Sequence, residues 1–273
     1  MQLSRKEIGD LIFKRITEKK DELKTFYKEK KSTIGYFFLD DLLPDELATC
    51  IYDSFPEVEV TKQKKSIREF KYVAYQMNTY NALLEEVVYA FQEEKNVRLI
   101  SDICGLDKVY ADENLYAGGL SLMKKNNYLN PHLDNSHDKD RDKWRVLNLL
   151  YYVTPNWKLE HGGNLELWEQ GLKSKPVVVE SRFNRLVVMA THQNSWHSVS
   201  KVNVDAVRCC VSNYYFSDIS YLESDTFHVT TFRGRPEERF KNLFLKIDSN
   251  LRSFLRKFFT KGIRKNPHQY RKK

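Results

Sequence analysis

The chain has 273 residues, of which 41% are hydrophobic and 13% aromatic, so it can bury the core of one large domain and is not a disordered protein. It contains no run of about 18 apolar residues, which argues against a membrane-spanning helix. The net charge of +8 is distributed unevenly along the chain. Residues 233–273 carry 14 Lys and Arg against 3 Asp and Glu, a net charge of +11, which leaves −3 for residues 1–232. This distribution gives no strong signal of a nucleic-acid-binding domain.

The first part of the chain predicts helices with short strands between them. Apolar residues recur at helical spacing through residues 3–31, which predicts an amphipathic helix on the outside of the domain. A short strand at Tyr36–Leu39 precedes a helix that begins near Pro44. We expect a further strand within residues 70–77 and a second helix over residues 81–105.

The pattern changes at about residue 115. From there to residue 217, short alternating segments are separated by turn signals such as Lys125-Asn126-Asn127 and Gly162-Gly163. Short strands with little helix between them predict a mainly β domain with flanking helices, built as an antiparallel sandwich or barrel. The segments that fit strands are 120–124, 128–133, 146–153, 164–169, 177–180, 185–189, 196–202 and 207–216.

The triplet His132-Leu133-Asp134 lies on one of these segments. Residues two apart on a strand point to the same side, so the imidazole and the carboxylate can reach one metal ion. The triplet alone is weak evidence of a metal site, since a surface histidine followed by an aspartate in a turn gives the same sequence pattern. His197 lies on a later strand-like segment, however, and two histidines with one carboxylate form the facial triad of non-haem iron(II) oxygenases.

Arg208 is the one charged residue in the apolar segment VRCCVSNYYF. A buried arginine on a strand needs a fixed anionic partner. If the turn near residues 203–205 closes a hairpin, Arg208 lies across from His197. A ligand carboxylate is the natural partner for its guanidinium group.

The order of these residues resembles the 2-oxoglutarate- and Fe(II)-dependent dioxygenases, in their prolyl-4-hydroxylase-like branch. That order is HxD, a histidine about 60 residues later and an arginine about ten residues after it. LSLMKKNNYLNPHLDNSH resembles the strand–turn–strand that leads into the site, although Asn127 stands where glycine is more usual. RVLNLLYYVTPNW with GGNLELWE resembles the central strand pair, and IGYFFLDDLLPDEL resembles the opening of the domain.

The resemblance implies a double-stranded β-helix, or jelly-roll, core at about residues 115–217. We expect this core to lie within a dioxygenase domain at residues 33–220. An N-terminal helix would occupy residues 1–32, and a basic helical tail would occupy residues 221–273.

The resemblance also implies the cofactors and their ligands. Iron(II) is expected on His132, Asp134 and His197, and 2-oxoglutarate is expected to chelate the metal while its far carboxylate pairs with Arg208. With O2, the implied reaction hydroxylates a C–H bond and decarboxylates 2-oxoglutarate to succinate; ascorbate is a further candidate cofactor. No catalytic residue beyond the metal ligands is implied, since the oxidation belongs to the metal and the co-substrate.

Other polar residues near these motifs have weaker claims to a role. Tyr128 and Asn148 lie on strands that border the site and are candidate 2-oxoglutarate contacts, with sheet packing as the alternative. His137 and His161 lie in polar turns and are candidate substrate contacts. His268 lies in the tail and is expected to be exposed.

The basic tail predicts one more helix, which Pro236 would begin. Its apolar residues form one stripe, and the rest of its surface is rich in Lys and Arg. The helix could dock on the sheet with a basic outer face, lie on an anionic membrane, or contact a nucleic acid or an acidic protein. The stripe consists of Phe240, Leu243, Phe244, Ile247, Leu251, Phe254, Leu255 and Phe258, and the cations are Arg239, Lys241, Lys246, Arg252, Arg256, Lys257 and Lys261.

Several functions remain open at this point. The expected substrate is a glycan, a lipid-linked sugar or another small molecule, because HVTTFRGRPEERF resembles bacterial oxygenases encoded near surface-polysaccharide genes, which include lipopolysaccharide-sugar hydroxylases. Peptidyl-proline is the rival substrate. A cupin-like metal-binding module and a membrane-surface adaptor are the alternatives of another class. Charges in MQLSRKEIGDLIF favour a cytoplasmic protein, with peripheral attachment to the inner face of the membrane as a further expectation.

Overall fold

The helices of the computed structural model, which describes residues 3–258 and 268–271, lie mostly before and after the strands. The helix predicted over residues 3–31 is two helices that meet at Lys19, and the helix predicted over residues 81–105 is also two. Apolar spacing continues across both breaks, so the sequence period does not reveal them. The helices are α1 (Arg5–Glu18), α2 (Lys20–Lys30), α3 (Asp45–Asp53), α4 (Ala82–Ala90), α5 (Glu94–Cys104) and α6 (Arg239–Phe258).

The strands confirm the mainly β architecture that the sequence predicts. Those that match predicted segments of the core are β5 (Gly119–Met123), β6 (Tyr128–Leu133), β7 (Trp144–Tyr152), β8 (Leu165–Leu167), β9 (Val177–Val179), β10 (Arg185–Ala190), β11 (His197–Val199) and β12 (Arg208–Ser217). The others are β1 (Tyr36–Leu39), β2 (Lys62–Lys65), β3 (Glu69–Ala74), β4 (Val109–Ala111) and β13 (Thr231–Phe232).

These strands form one antiparallel sheet that folds back on itself. Its order is β1-β10-β7-β12-β5-β3-β6-β11-β8-β9, and β2, β4 and β13 join it at β3, β12 and β6. Tyr36 and Val187 near one end share a core cluster with Leu165 and Val179 near the other end. The two ends therefore face each other, and inward-pointing side chains meet in the space between them.

Strand β12 shows how the sheet separates the hydrophobic core from the interior. Successive side chains on a strand alternate between its faces. Cys209, Val211 and Tyr215 belong to the large core cluster that the sheet forms with α1 to α5, whereas Arg208 and Tyr214 line the interior cavity. Burial of a side chain such as Val211 contributes about 1.5–3 kcal/mol, so the packing of the helices fixes which residues of β12 point inward.

The hairpin considered for residues 196–202 and 207–216 does not form. β11 pairs with β6 on one side and with β8 on the other, so it offers no free edge to β12. β12 pairs instead with β7 and β5. Arg208 therefore reaches the interior from a different wall of the folded sheet than His197.

Helix α6 packs on the domain through its more polar face, and its apolar stripe points to solvent. Leu245 is fully buried, Ser249 donates to the backbone carbonyl group of Phe232 at 3.4 Å, and Arg252 donates to that of Thr230 at 2.7 Å. The large apolar side chains that instead face solvent are Phe240, Leu243, Phe244, Ile247, Leu251 and Phe254. The expectation of a docked helix with a basic outer face is therefore wrong in orientation. Side chains expected on this helix that lie outside the described ones are those of Arg256, Lys257, Phe258 and Lys261.

No helix within the described ranges combines the length and the hydropathy of a membrane-spanning segment.

Candidate metal and co-substrate site

One cavity inside the folded sheet brings the predicted metal ligands and Arg208 together. It has a volume of about 290 Å³, which is near the lower end of the range for ligand pockets. Its walls are formed by residues of β2, β3, β5, β6, β7, β8, β11, β12 and β13, and Arg252 of α6 also lines it. The alternation of side chains described for β12 therefore delivers polar groups into an enclosed space.

The three predicted metal ligands converge on one point. His132 on β6 and His197 on β11 are direct register partners, and their ring centroids are 4.1 Å apart. Nε2 of His132 lies 3.7 Å from Oδ1 of Asp134, and Nε2 of His197 lies 3.8 Å from Oδ2 of Asp134. A side-chain contact of about 3.6 Å or more is too long to be a hydrogen bond, so these atoms are not bonded to one another. One ligand atom from each residue lies within 4.8 Å of the other two, as ligands of a single ion would.

Backbone carbonyl groups determine which nitrogen of each imidazole can bind a metal. Nδ1 of His132 lies 3.0 Å from the carbonyl oxygen of Asn130, and Nδ1 of His197 lies 2.9 Å from that of Ser195. A carbonyl oxygen only accepts, so Nδ1 carries the proton in both rings and Nε2 presents a lone pair to Asp134. Burial lowers the pKa of His132 to about 3, which keeps this ring neutral, as a metal ligand must be.

Asp134 is held as a carboxylate in the same place. Burial opposes its charge, but the positive charge of Arg145 helps to hold the pKa of Asp134 below its ordinary value. Nη1 of Arg145 lies 3.8 Å from Oδ1, and the side-chain amide of Asn148 donates to Oδ2 at 3.4 Å. Two imidazole nitrogens with free lone pairs and one carboxylate oxygen meet here, and none of these atoms can donate a hydrogen bond to another. As metal ligands they fit a divalent cation, and their types and number fit non-haem iron(II).

Arg208 is 3% exposed and lacks a counter-ion among the described residues. Its Nη2 donates to the hydroxyl group of Ser121 at 3.4 Å, and its guanidinium carbon lies 5.3 Å from the ring centroid of Tyr152. Nε has no hydrogen-bond partner in the described chain. A buried guanidinium group without an anion costs free energy, so a ligand with an anionic group would stabilise this part of the cavity wall.

The two candidate 2-oxoglutarate contacts lie in different positions. Asn148 lines the cavity and touches Asp134. Tyr128 is not among the lining residues, since its hydroxyl group is directed to the carbonyl oxygen of Ser66 at 3.4 Å. The pairing of β6 with β11 shifts register before His132, so that Leu129 faces the cavity in place of Tyr128. A contact between Tyr128 and the co-substrate therefore has no support from this arrangement.

The two histidines considered as substrate contacts also lie outside the cavity lining. His137 is 2% exposed rather than part of an open turn, and its Nδ1 lies 2.6 Å from the carbonyl oxygen of Asp138. His161 packs edge-on against Trp157, with 5.3 Å between ring centroids. The structure does not bring either ring to the metal-binding triplet.

Several cationic and polar side chains of the cavity were missed by sequence reasoning. Arg145 carries the signal that identified Arg208, a lone charge on an apolar strand, and could have been found. Lys64 and Lys71 are direct register partners on β2 and β3, which a charged stretch of sequence does not reveal. His268 was expected to be exposed, yet it is 4% exposed and lines the cavity, because the end of the chain folds back onto the domain.

Comparison with known families agrees with this geometry. Residues 117–216 match the family model described as the 2OG-Fe(II) oxygenase superfamily. The matched region contains His132, Asp134, His197 and Arg208. Members of this superfamily use iron(II), 2-oxoglutarate and O2, so the predicted cofactors are confirmed at the level of the family. No curated protein sequence matches the chain.

Solved structures share the fold at low sequence identity. A prolyl-4-hydroxylase from Pseudomonas putida is 16% identical, with a TM-score of 0.53 over 71% of this chain and 97% of that one. A prolyl 4-hydroxylase from Phytophthora capsici is 16% identical, with a TM-score of 0.57 over 94% and 80%. A prolyl hydroxylase from Trichoplax adhaerens, solved with a peptide fragment of the hypoxia inducible factor oxygen degradation domain, is 16% identical, with a TM-score of 0.53 over 74% and 92%. These likenesses confirm the jelly-roll fold class.

Proposed function

We propose that this chain, an oxidoreductase of the 2OG-Fe(II) oxygenase superfamily through its residues 117–216, hydroxylates a C–H bond of a glycan, a lipid-linked sugar or another small molecule. The reaction couples this oxidation to the decarboxylation of 2-oxoglutarate to succinate. The observation that carries the proposal is the presence of the His132, Asp134 and His197 cluster and of Arg208 in one buried cavity.

Each polar residue of the cluster has a defined role in this proposal. His132 and His197 would hold iron(II) through Nε2, and Asp134 would hold it through a carboxylate oxygen. When bound, iron(II) and 2-oxoglutarate together supply the activation of O2. Asn148 orients the Asp134 carboxylate by donating to Oδ2, and Arg145 stabilises its charge from the other side. These contacts fix the ligand geometry before a metal binds.

Arg208 would bind the far carboxylate of 2-oxoglutarate. Ser121 and Tyr152 hold the guanidinium group from two sides, which orients it toward the cavity. Leu150 and Leu165 add apolar surface to the same cavity and exclude water from it. A charge-assisted contact in such surroundings contributes about 1.5–3 kcal/mol, enough to make Arg208 the main determinant of co-substrate affinity.

The exposed face of α6 supports a lipid-linked substrate. Phe240 is 85% exposed, and Leu243, Phe244, Ile247 and Leu251 lie on the same face of the helix. Together these side chains form a continuous apolar stripe, and large exposed apolar patches of this kind usually mark an interaction site. The inner side of the same helix reaches the cavity through Arg252. A helix in this position can hold the cavity close to the surface that its stripe contacts.

We propose that the surface in contact with this stripe is an anionic membrane. Arg239 and Lys246 are exposed beside the stripe, and the exposed residues between Arg239 and Leu255 include no acid. An apolar face bordered by cations, with no neighbouring acid, is complementary to the headgroups and outer acyl region of anionic lipids. Two copies of the chain in contact through this stripe would bring their cations close together, which disfavours a second copy as the partner.

The proposed function is tested by anaerobic titration of the Fe(II)-loaded protein with 2-oxoglutarate while the visible charge-transfer band of the chelate is followed. We expect the band to form in the wild type and to be absent from His132→Ala. Substrates are then screened with envelope sugars, lipid-linked sugars and peptidyl-proline, each followed by succinate release. Iron binding without a band would leave a cupin-like metal-binding module, and hydroxylation of peptidyl-proline alone would replace the glycan assignment.

A further inference from the structure

Two lysines face each other on the wall of the cavity beside the metal-binding triplet. Lys64 on β2 and Lys71 on β3 are direct register partners, and both line the cavity. Lys71 forms an ion pair with Glu69 at 3.2 Å. Lys64 forms no ion pair with a described carboxylate and donates instead to Nδ1 of His268 at 3.4 Å. Like charges directly opposite on neighbouring strands destabilise a sheet, so the pair is a cost to the fold that a bound anion would offset.

A second pair of cations, Arg68 and Arg252, lines the same cavity. Arg68 and Arg252 both bind the carboxylate of Asp248, and both line the cavity. One carboxylate therefore serves two guanidinium groups. Nη2 of Arg252 is buried and has no hydrogen-bond partner among the described residues, which leaves both N–H bonds of this nitrogen without an acceptor.

The charges of the cavity do not balance even when the cofactors are included. Among the described residues, six cationic side chains line it against two carboxylates, a difference of four positive charges. Iron(II) and 2-oxoglutarate carry opposite charges of two and leave that difference unchanged. Asp248, which binds two of the arginines, reduces it to three. The six cations are Lys64, Arg68, Lys71, Arg145, Arg208 and Arg252, and the two carboxylates are Glu69 and Asp134.

The lysine pair is separate from the group that we assign to 2-oxoglutarate. β5 lies between β3 and β12 in the sheet. Neighbouring strands are about 4.8 Å apart, so the backbones of Lys71 and Arg208 are separated by two strand spacings. One end of 2-oxoglutarate is assigned to the metal and the other to Arg208. The lysine pair is therefore left for another anion.

We propose that Lys64 and Lys71, assisted by Arg252, bind a phosphate monoester group carried by the substrate, so that the oxidised molecule is a phosphorylated sugar, free or within a larger saccharide. This assignment rests on the proposed function, because it names the substrate class of the same cavity. A phosphate monoester brings about two negative charges and three acceptor oxygens. These charges and oxygens match the two lysines together with the unpartnered Nη2 group of Arg252 in the same cavity.

The test uses inorganic phosphate as the probe and the full chain loaded anaerobically with Fe(II) and saturating 2-oxoglutarate. Phosphate affinity is measured by calorimetry, and the charge-transfer band shows whether 2-oxoglutarate stays bound. We expect phosphate to bind without loss of the band. Lys64→Gln and Lys71→Gln should each weaken phosphate binding about tenfold or more, as expected for the loss of one charge-assisted contact. Lys65→Gln is the matched control, since Lys65 is the next residue on β2 and is not among those lining the cavity.

The possible failures of this test are distinct. An absent band in the wild type rejects the proposed co-substrate and therefore the proposed function. A normal band with no phosphate binding rejects the phosphate site alone, and so does equal phosphate binding by the wild type and a double variant that carries both Lys64→Gln and Lys71→Gln. A double variant that needs more 2-oxoglutarate but binds phosphate normally would assign the lysines to the co-substrate. Acetate binding as tightly as phosphate would overturn the preference for a dianion.

Discussion

His132 and His197 are register partners on β6 and β11, and each imidazole donates from Nδ1 to the carbonyl group of the residue two positions before it. The two rings therefore share one local hydrogen-bonding pattern on neighbouring strands. This pattern directs both Nε2 atoms at Asp134, which lies on the chain just after β6. The backbone thus prepares the site for a metal without a side-chain rearrangement.

Removal of one imidazole should therefore remove the metal. We expect His197→Ala to weaken Fe(II) binding more than about 100-fold, because loss of even a supporting residue of a metal site costs about 10–100-fold. Anaerobic titration with Fe(II) or Co(II) measures the change. His161→Ala is the control, since this ring lies outside the cavity lining, and it should bind metal as the wild type does. Retention of metal by His197→Ala would reject the triplet as the ligand set.

Replacement of Arg208 should separate co-substrate binding from metal binding. We expect Arg208→Ala to raise the 2-oxoglutarate concentration needed for half-formation of the charge-transfer band about 10- to 100-fold, because the carboxylate loses its cation. Fe(II) affinity should stay within about twofold, since Arg208 forms no contact with the triplet. Arg182→Ala, at an exposed position, is the control. An unchanged 2-oxoglutarate requirement would show that another residue anchors the co-substrate.

The sequence allowed the metal site to be predicted because its evidence is local. The HxD spacing works through strand geometry alone, and His197 and Arg208 stand out as polar residues on apolar strands. The predicted strand pairing that would place Arg208 opposite His197 was nevertheless wrong, since the choice of strand partners depends on which edges other strands already occupy. Lys64 and His268 were missed for the same reason, because their positions follow from long-range pairing and from the return of the chain end.

The orientation of α6 could not be predicted from its pattern. An apolar stripe ordinarily marks the face that packs on the domain. Here the buried contacts come from Leu245, Ser249 and Arg252, next to the cavity, and the stripe faces outward. Amphipathic spacing identifies two faces of a helix and does not state which one meets the protein.

Phosphate binding should weaken as the pH rises above 8. Burial and the charge of Lys71 lower the pKa of Lys64 to about 8 in the free protein. A bound phosphate favours the protonated ammonium group, so above this pKa each binding event must take up a proton. Affinity should then fall by up to about tenfold per pH unit between pH 8 and pH 9. Calorimetry at pH 7, 8 and 9 measures the profile.

Two other titratable groups near Lys64, Glu69 and His268, keep one charge state across this range. Lys71 lowers the pKa of Glu69, although burial opposes this effect, so Glu69 stays ionised. Burial lowers the pKa of His268 well below 6.5, so His268 stays neutral. Inorganic phosphate gains its second negative charge between pH 7 and pH 8, so its own titration would strengthen binding rather than weaken it. Lys64→Gln should therefore lose the fall in affinity above pH 8, and a variant as steep as the wild type between pH 8 and pH 9 would exclude Lys64 as its cause.

Lys64→Gln should also stabilise the protein in the absence of ligands. The substitution removes one of two like charges on facing strands, which costs about 0.2–1 kcal/mol, while the glutamine amide can still donate to His268. We expect the Tm to rise by about 1–3 °C at low salt and pH 7. With saturating phosphate the order should reverse, since only the wild type gains the full binding energy. A lower Tm for the ligand-free variant would show that Lys64 supports the fold.

The apolar stripe of α6 should determine binding to anionic membranes. We expect the wild type to sediment with vesicles of phosphatidylglycerol and phosphatidylcholine and to bind far less to phosphatidylcholine alone, because the contribution of Arg239 and Lys246 requires anionic headgroups. Phe244→Ser with Ile247→Ser removes two apolar side chains from the centre of the stripe and should reduce binding at least tenfold, at about 1.5 kcal/mol or more for each side chain. Anaerobic formation of the charge-transfer band should be unchanged.

Leu159→Ser is the matched control for this experiment, because Leu159 is 52% exposed and lies outside α6. If this control binds vesicles as the wild type does, the loss in the α6 variant reports the stripe and not general hydrophobicity. Salt separates the two contributions, since 0.5 M NaCl screens the cations and leaves the apolar contact in place. The wild type could instead fail to bind vesicles and form dimers that the same substitutions abolish. That result would assign the stripe to a second copy of the chain and contradict the membrane proposal. The metal site and its co-substrate would be unaffected by that outcome, because Arg252 reaches the cavity from the opposite face of the helix.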